Sequence, residues 1–285
     1  MPTPSFQIKW DESGEHIFET GIDHGVVYPV DSNGQYSKGY AWNGISAVTE
    51  SPSGAEPTAI WADNIKYLNL YSAEEFGATL EAYTYPDAFA ECDGSAEIAQ
   101  GVYAGQQSRK AFGLCYRTRV GNELQGDQLG YKYHLIYGAK ASPSERNYNT
   151  VNDSPEAQAM SWEISTTPIN LTGFKPTSLV TIDSRKTDAT KLATLEQILF
   201  GTPAQQAQDA VYEAVPADAA FDDTKTYYTR TGAGTALSPY VYTEASITEF
   251  AQGTTYYTLK SPAVPASAAV DARLPLPDEV MSTLA

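Results

Sequence analysis

The chain reads as a mainly β protein: an antiparallel β-sandwich or barrel with one flanking α-helix, plus a small β-hairpin-repeat insertion near the C-terminus. Three observations predict this. Apolar and polar residues alternate at period two through the middle of the chain, and one stretch alone repeats convincingly at helical spacing. Composition agrees: aromatics make up 12% of 285 residues, with 20 Tyr beside 21 Gly and 17 Pro. That mixture suits short strands broken by turns better than a helical bundle.

The elements follow in order. Residues 42–63 are expected to form a long loop or extended hairpin. Their centre, Glu50-Ser51-Pro52-Ser53-Gly54-Ala55-Glu56-Pro57, is polar and turn-rich, and its prolines exclude a continuous central strand. Apolar flanks bracket it, Trp42, Ile45 and Val48 before and Ile60 and Trp61 after, and they need cover. Two readings of Trp42 and Trp61 stand side by side: caps on a local core, or contacts with another molecule. Thr79, Glu81, Tyr83 and Tyr85 alternate with Ala78, Leu80 and Ala82, and a helical turn is expected over Pro86–Glu91. Phe112, Leu114, Tyr116, Thr118 and Val120 form a strand face opposed by Arg117 and Arg119. Leu129, Tyr131, Tyr133, Leu135 and Tyr137 do the same against Lys132 and His134, and Met160, Trp162 and Ile164 against Ser161, Glu163 and Ser165. Such alternation predicts antiparallel strands with one face buried. Gly-Asn at 121–122, Ser-Pro-Ser at 142–144 and Asp-Ser-Pro at 153–155 are expected as turns. Leu192, Leu195, Ile198 and Leu199 predict a helix over Asp188–Phe200, N-capped by Thr187 or Asp188 and stopped by Gly201.

Residues 207–264 repeat within themselves. Val211–Arg230 aligns with Val241–Lys260, matching Phe221 with Phe250 and Tyr227-Tyr228 with Tyr256-Tyr257. Each copy reads as a hairpin, and two hairpins could pair into one sheet where one would be marginal. Alanine- and proline-rich flanks read as linkers. The domain plan is therefore residues 1–206 as a core, 207–264 as an insertion on the outer surface, and 265–285 as an arm returning to the core. Tyr227, Tyr228, Tyr256 and Tyr257 are candidates for contact with a flat ligand such as a sugar, against the plainer reading that they form the small sheet's core.

The formal net charge is −17. Nucleic-acid affinity rests on Lys/Arg contacts to phosphates, so an acidic chain is a poor DNA binder. No apolar run reaches the ~18 residues of a membrane span, so no membrane insertion is expected. Two cysteines, Cys92 and Cys115, are too few for a disulfide framework and fit a reducing compartment. Hydrolase elbow, P-loop, H-E-x-x-H and C-x-x-C motifs are absent, and no catalytic, metal or cofactor residue is assigned. His16 and His24 stand near Glu15, Glu19 and Asp23, but their irregular spacing favours solvated side chains over metal ligands.

Several stretches together carry a resemblance: Phe18–Val30 (FETGIDHGVVYPV), Trp42–Phe89, KAFGLCYRT, GYKYHLIYGAKASPSE, SPEAQAMSWEISTTP and Leu274–Val280 (LPLPDEV). With these the chain resembles the major tail, or tail tube, proteins of long non-contractile-tailed bacteriophages over most of residues 5–203 and the C-terminus. The resemblance implies a structural virion protein of the tail tube fold, present in host cytoplasm before assembly, whose copies form rings of six that stack into a DNA-conducting tube. It implies self-contacts, a tape-measure protein, tail-terminator and distal tail proteins as partners, and DNA that passes without tight binding. It also implies that a long loop reaches a neighbouring ring, which makes Trp42, Glu50, Pro52, Glu56 and Trp61 candidate inter-subunit residues. Glu81 and Glu163 are the candidate lumen-facing residues. Rival readings are a carbohydrate-binding or adhesion module, a β-rich hydrolase with unrecognised carboxylates, and the tube of a contractile tail or injection system.

Overall fold

A computed structural model describes residues 10–142, 146, 148, 150, 157–216, 219–235 and 238–285. The chain divides into two compact units, Met1–Thr202 with Asp271–Ala285, and Pro203–Val270. In chain order the larger unit contains β1 (Phe18–Pro29), β2 (Tyr40–Ala41), β3 (Ile45–Glu50), β4 (Ser53–Gly54), β5 (Pro57–Ala62), β6 (Ile65–Tyr71), β7 (Glu74–Glu75) and β8 (Gly77–Ala82). A 3-10 turn over Asp87–Phe89 follows, then β9 (Ala96–Ala99), β10 (Val102–Ala104), β11 (Phe112–Asn122), β12 (Gly126–Ser142), β13 (Met160–Thr166), β14 (Leu179–Asp183), α1 (Ala189–Phe200) and α2 (Pro277–Leu284).

One antiparallel sheet runs β2-β1-β11-β12-β13-β8-β3, with β14 also on β12. The long central strands are buried on both faces, which corrects the expectation of one. Val27, Leu114, Tyr116 and Ile136 face a core shared with Leu80, Trp162 and Ile164. Val26, Cys115, Tyr133, Leu135 and Tyr137 face a second core shared with Leu192, Leu195 and Leu199 of α1. β11 and β12 are thus a middle layer, with β3-β8-β13 on one side and the helices on the other. Alternating Tyr and Leu on β12 marked one apolar face; Ile136, between His134 and Gly138, filled the other without breaking the pattern.

Gly138 lets β12 serve two neighbours. Below it Lys132–Ile136 pair with β14, and above it Ala139–Ser142 pair with β13. Its φ is +60°, and a Cβ there would collide with the Thr167 carbonyl. The strand shifts register at this point, so that Tyr137 faces one core and Ala139 the other.

α1 starts where its cap dictates: the Asp188 carboxylate accepts from the amides of Thr190 and Lys191 at 3.0 and 3.1 Å. Gly201 at φ +74° ends it. α2 was not expected. Pro277 at its first turn and Asp278 and Glu279 after it are ordinary start signals, read only as a sequence match. β8 ends at Ala82 rather than Tyr85: Tyr83 is exposed, while Tyr85 turns onto Phe89 and Trp162. Asn122 lies inside β11, so the turn follows it, and its side-chain oxygen receives the amides of Leu124 and Gln125. Ser142 closes β12; residues 143–144 and 153–155 lie outside the described residues.

The smaller unit is a four-stranded sheet of β15 (Val211–Ala214), β16 (Tyr227–Thr231), β17 (Val241–Ala245) and β18 (Tyr257–Ser261), in the order β15-β18-β16-β17. Hairpins within each copy do not form. The first strand of each copy pairs with the second strand of the other, β15 with β18 and β17 with β16. The repeat is nevertheless visible as near-twofold symmetry. Tyr227 and Tyr256 hydroxyls accept from the amides of Asp222 and Ala251, each just after the matching Phe221 or Phe250. The expected linkers meet each other, Gln205 bridging Ser267 and Gln208 bridging Val264.

Candidate assembly surface

Between Glu50 and Gly77 the chain leaves the large sheet and returns to it. β4 and β7 pair near the base, and β5 and β6 continue as a two-stranded hairpin. Its turn is Asp63-Asn64, both at positive φ (+52° and +62°), the conformation a two-residue hairpin requires. The arm therefore extends well past residue 63, where sequence reading ended it. Among the described residues no other strand pairs with β5 or β6. Ile60, Trp61, Ile65, Tyr67, Leu68, Leu70 and Tyr71 are all exposed on it, Trp61 at 68%. Register, with its shift between Ile60 and Trp61, puts Ile60, Ile65, Leu68 and Leu70 on one face, and Trp61, Tyr67 and Tyr71 on the other. An isolated hairpin with two apolar faces is the kind of surface that proteins cover.

The five residues expected at an inter-subunit contact separate. Trp42 is 3% exposed and belongs to the core, against Phe89 and Trp162 with ring centroids at 4.4 and 5.6 Å. Its indole N–H donates to the Thr84 carbonyl at 2.7 Å, so the core-cap reading is the correct one for it. Trp61 is on the arm. Pro52 and Glu56 are exposed at the arm's base. Glu50, the last residue of β3, turns back to the body and accepts from the Tyr116 hydroxyl at 2.6 Å.

That bond is part of a polar cluster at the arm's root. The Tyr116 and His134 rings stack at 4.7 Å and 3°. His134 Nε2 lies 3.0 Å from Thr118 Oγ1, and Nδ1 lies 3.3 Å from Glu50 Oε1. The order Thr, His, Glu is that of a hydrolase triad, yet Nδ1 makes no hydrogen bond. The link that would orient the imidazole is therefore missing. Burial lowers the His134 pKa, against the pull of Glu50 and Glu19, and Lys132 opposes protonation too while pairing with Glu19. This cluster ties β3 to β11 and β12 where the arm departs.

On β8 and β13 alternation is clean, while β3 joins them with a register shift between Ile45 and Ala47. Val48, Leu80, Trp162 and Ile164 turn into the core. Register places Glu81 opposite Ser161 and Glu163 opposite Thr79, with Thr49 and Ser165 alongside on the other face. Glu81 and Glu163 are both exposed, diagonal neighbours on that polar face. Arg117 and Arg119 are elsewhere, on Asp23: Arg117 in two bonds of 2.6 and 2.9 Å, Arg119 shared with Asp127.

In the small sheet Tyr227, Tyr256 and Tyr257 are buried, which corrects their reading as contact residues; Tyr228 is half-buried. Tyr227 and Tyr256 pack with Phe221 and Phe250. On the opposite face Tyr212 and Tyr242 stack at 4.0 Å, and Arg230 lies over Tyr240 and Tyr257. His16 contacts Asp11 and Glu123, and His24 contacts Asp23, so the two histidines do not converge. Among the described residues no three metal-ligating side chains cluster. Both cysteines are buried and free.

No protein-family profile matches the chain, and no curated protein gives a significant match to it.

Proposed function

We propose that this chain is a structural subunit that assembles with copies of itself into a tube, as the resemblance to phage major tail proteins implies. The observation that carries the reading is the arm: a hairpin with exposed apolar residues on both faces. Complete burial of a large apolar side chain contributes roughly 1.5–3 kcal/mol, so the arm's seven offer on the order of 10–20 kcal/mol. Association costs an estimated 4–15 kcal/mol. Several of these side chains are already partly covered, so the gain is an upper figure and one arm contact leaves a small margin, which rings and stacks that repeat it multiply. The subunit stays dispersed until concentration or a nucleus favours assembly.

The polar face of β3, β8 and β13 supports a lumen-facing role for Glu81 and Glu163. With 35 acidic against 18 basic residues, the bore would attract DNA weakly and let it slide. In this scheme the tape-measure protein sets length, terminator and distal tail proteins close the ends, and the non-contractile type is the one the sequence favours. The small unit is decoration on the outside. A second reading of that unit, weak carbohydrate binding, is favoured by exposed Tyr240 beneath Arg230.

Negative-stain microscopy of concentrated protein tests the proposal. Rings or hollow tubes are expected, and they should persist when residues 203–270 are deleted. Uniform monomers at every salt and protein concentration would overturn it.

A further inference from the structure

The polar cluster at the arm's root is one proton short of complete. His134 is buried beneath Tyr116, and its Nδ1 is a buried atom without a hydrogen-bond partner. An acceptor is nevertheless close: Glu50 Oε1, already bonded to the Tyr116 hydroxyl, lies 3.3 Å from Nδ1. Buried polar atoms are almost always satisfied, so this one needs a physical reason.

The hydrogen-bond network supplies it. A carboxylate only accepts. Thr118 turns its hydroxyl proton toward Glu19 Oε2 at 3.5 Å, which leaves the Thr118 oxygen to accept from His134 Nε2 at 3.0 Å. A neutral imidazole has one N–H, and with the proton on Nε2 the other nitrogen presents a lone pair to Glu50. Two acceptors therefore face each other. One added proton turns Nδ1 into a donor and completes a chain from Glu19 on β1 through Thr118 on β11 and His134 on β12 to Glu50 on β3.

Groups on every element packed against the ring bear on that proton. Burial opposes it most, Glu50 and Glu19 favour it, and Lys132 opposes it. Tyr116 and Thr118 on β11, and Thr181 opposite on β14, carry no charge near neutrality. The ring is therefore neutral at pH 7 and charges only below the ordinary histidine value of 6.5.

We propose that His134 and Glu50 form a proton-operated latch on the arm: neutral His134 leaves the Glu50 carboxylate to Tyr116, and protonated His134 ties it to β12 as well. Glu50 ends β3 where the arm departs, so the second tie restricts the angles open to β5 and β6. Folding as a whole responds with the opposite sign. A folded-state pKa below the unfolded one means that acidification through 6.5 costs stability, so the latch closes against the fold's own preference. The latch belongs to the single molecule and does not depend on assembly.

Nitrogen NMR and a spin-label distance test it in dilute, dispersed protein. The His134 ring should carry its proton on Nε2 alone at pH 8 and gain one on Nδ1 as the pH falls. Spin labels on Lys66→Cys in the arm and Lys140→Cys in the body should give a distance distribution that narrows over the same pH range; Cys92 and Cys115 are buried and take no label. In His134→Gln the width should stay constant. Should that variant fail to fold, Glu50→Gln at a partly exposed position keeps the test open. It should lower the pH at which His134 charges by about one unit and remove the narrowing. A proton already on Nδ1 at pH 8, a ring still neutral at pH 4, or a width that does not follow the His134 titration would overturn the latch.

Discussion

Trp42 and Trp61 flank the same polar segment in sequence, and the structure gives them opposite energetics. Trp42→Ala deletes a buried indole between Phe89 and Trp162 and orphans the Thr84 carbonyl. Large-to-small changes at such sites cost about 3–5 kcal/mol. With a urea dependence of about 2 kcal/mol/M, the midpoint should fall by roughly 1.5–2.5 M. Trp61→Ala removes an exposed side chain from the monomer and should move the midpoint by no more than about 0.25 M, the effect of an ordinary surface change. The same Trp61 substitution should abolish or sharply reduce tube formation. All four tryptophans (10, 42, 61 and 162) lie outside residues 203–270, so indole emission reports the larger unit alone. Trp162 remains as the reporter in both variants. Equal midpoint shifts for the two variants, or an unshifted Trp42→Ala, would refute the assignment of core and surface.

Gly138→Ala should destabilise the larger unit by about 1–3 kcal/mol, since it forces a Cβ into left-handed backbone and against Thr167; a calorimetric Tm checks it. The Arg117 guanidinium holds the Asp23 carboxyl well below its ordinary value of 3.8. The folded pKa being the lower one, this pair contributes stability above pH 4 that fades as pH drops further. Asp23→Asn should therefore be less stable than the parent at pH 6, and the gap should narrow between pH 4 and pH 2 in urea titrations. Burial pushes the Cys92 thiol up to about 12 and raises Cys115 as well. Ellman's reagent should find neither thiol in native protein and both in urea.

Local signals carried much of the fold because the helix and strands obey local rules. Asp188, the Leu192-Leu195-Leu199 stripe and Gly201 define α1 without help from the rest of the chain. Period two placed β11, β12 and β13, and it separated Glu81 and Glu163 from the core residues beside them. What alternation cannot show is how many layers cover a strand, so the second buried face of β12 was missed. The arm's extent was legible in principle: Asp63-Asn64 between two apolar runs is a two-residue hairpin signal. Trp42 was harder, because a buried and an exposed tryptophan look alike until Phe89 and Trp162 are brought to them from far along the chain. The pairing in the small sheet was beyond reach for a similar reason. Both copies offer the same strand sequences, and nothing local says which copy a strand will choose.

That choice has a consequence during synthesis. β15 leaves the ribosome first of the four strands, yet its one strand partner among the described residues is β18, the last to be made. At 5–20 residues per second, the 46-residue interval from Val211 to Tyr257 takes about 2–9 s. Throughout that delay β15 is unpaired, while β16 already has β17 beside it, and β15 is open to the β18 strand of a neighbouring nascent chain. A polysome making this protein at high output would thus bring together the reactants for strand exchange between molecules.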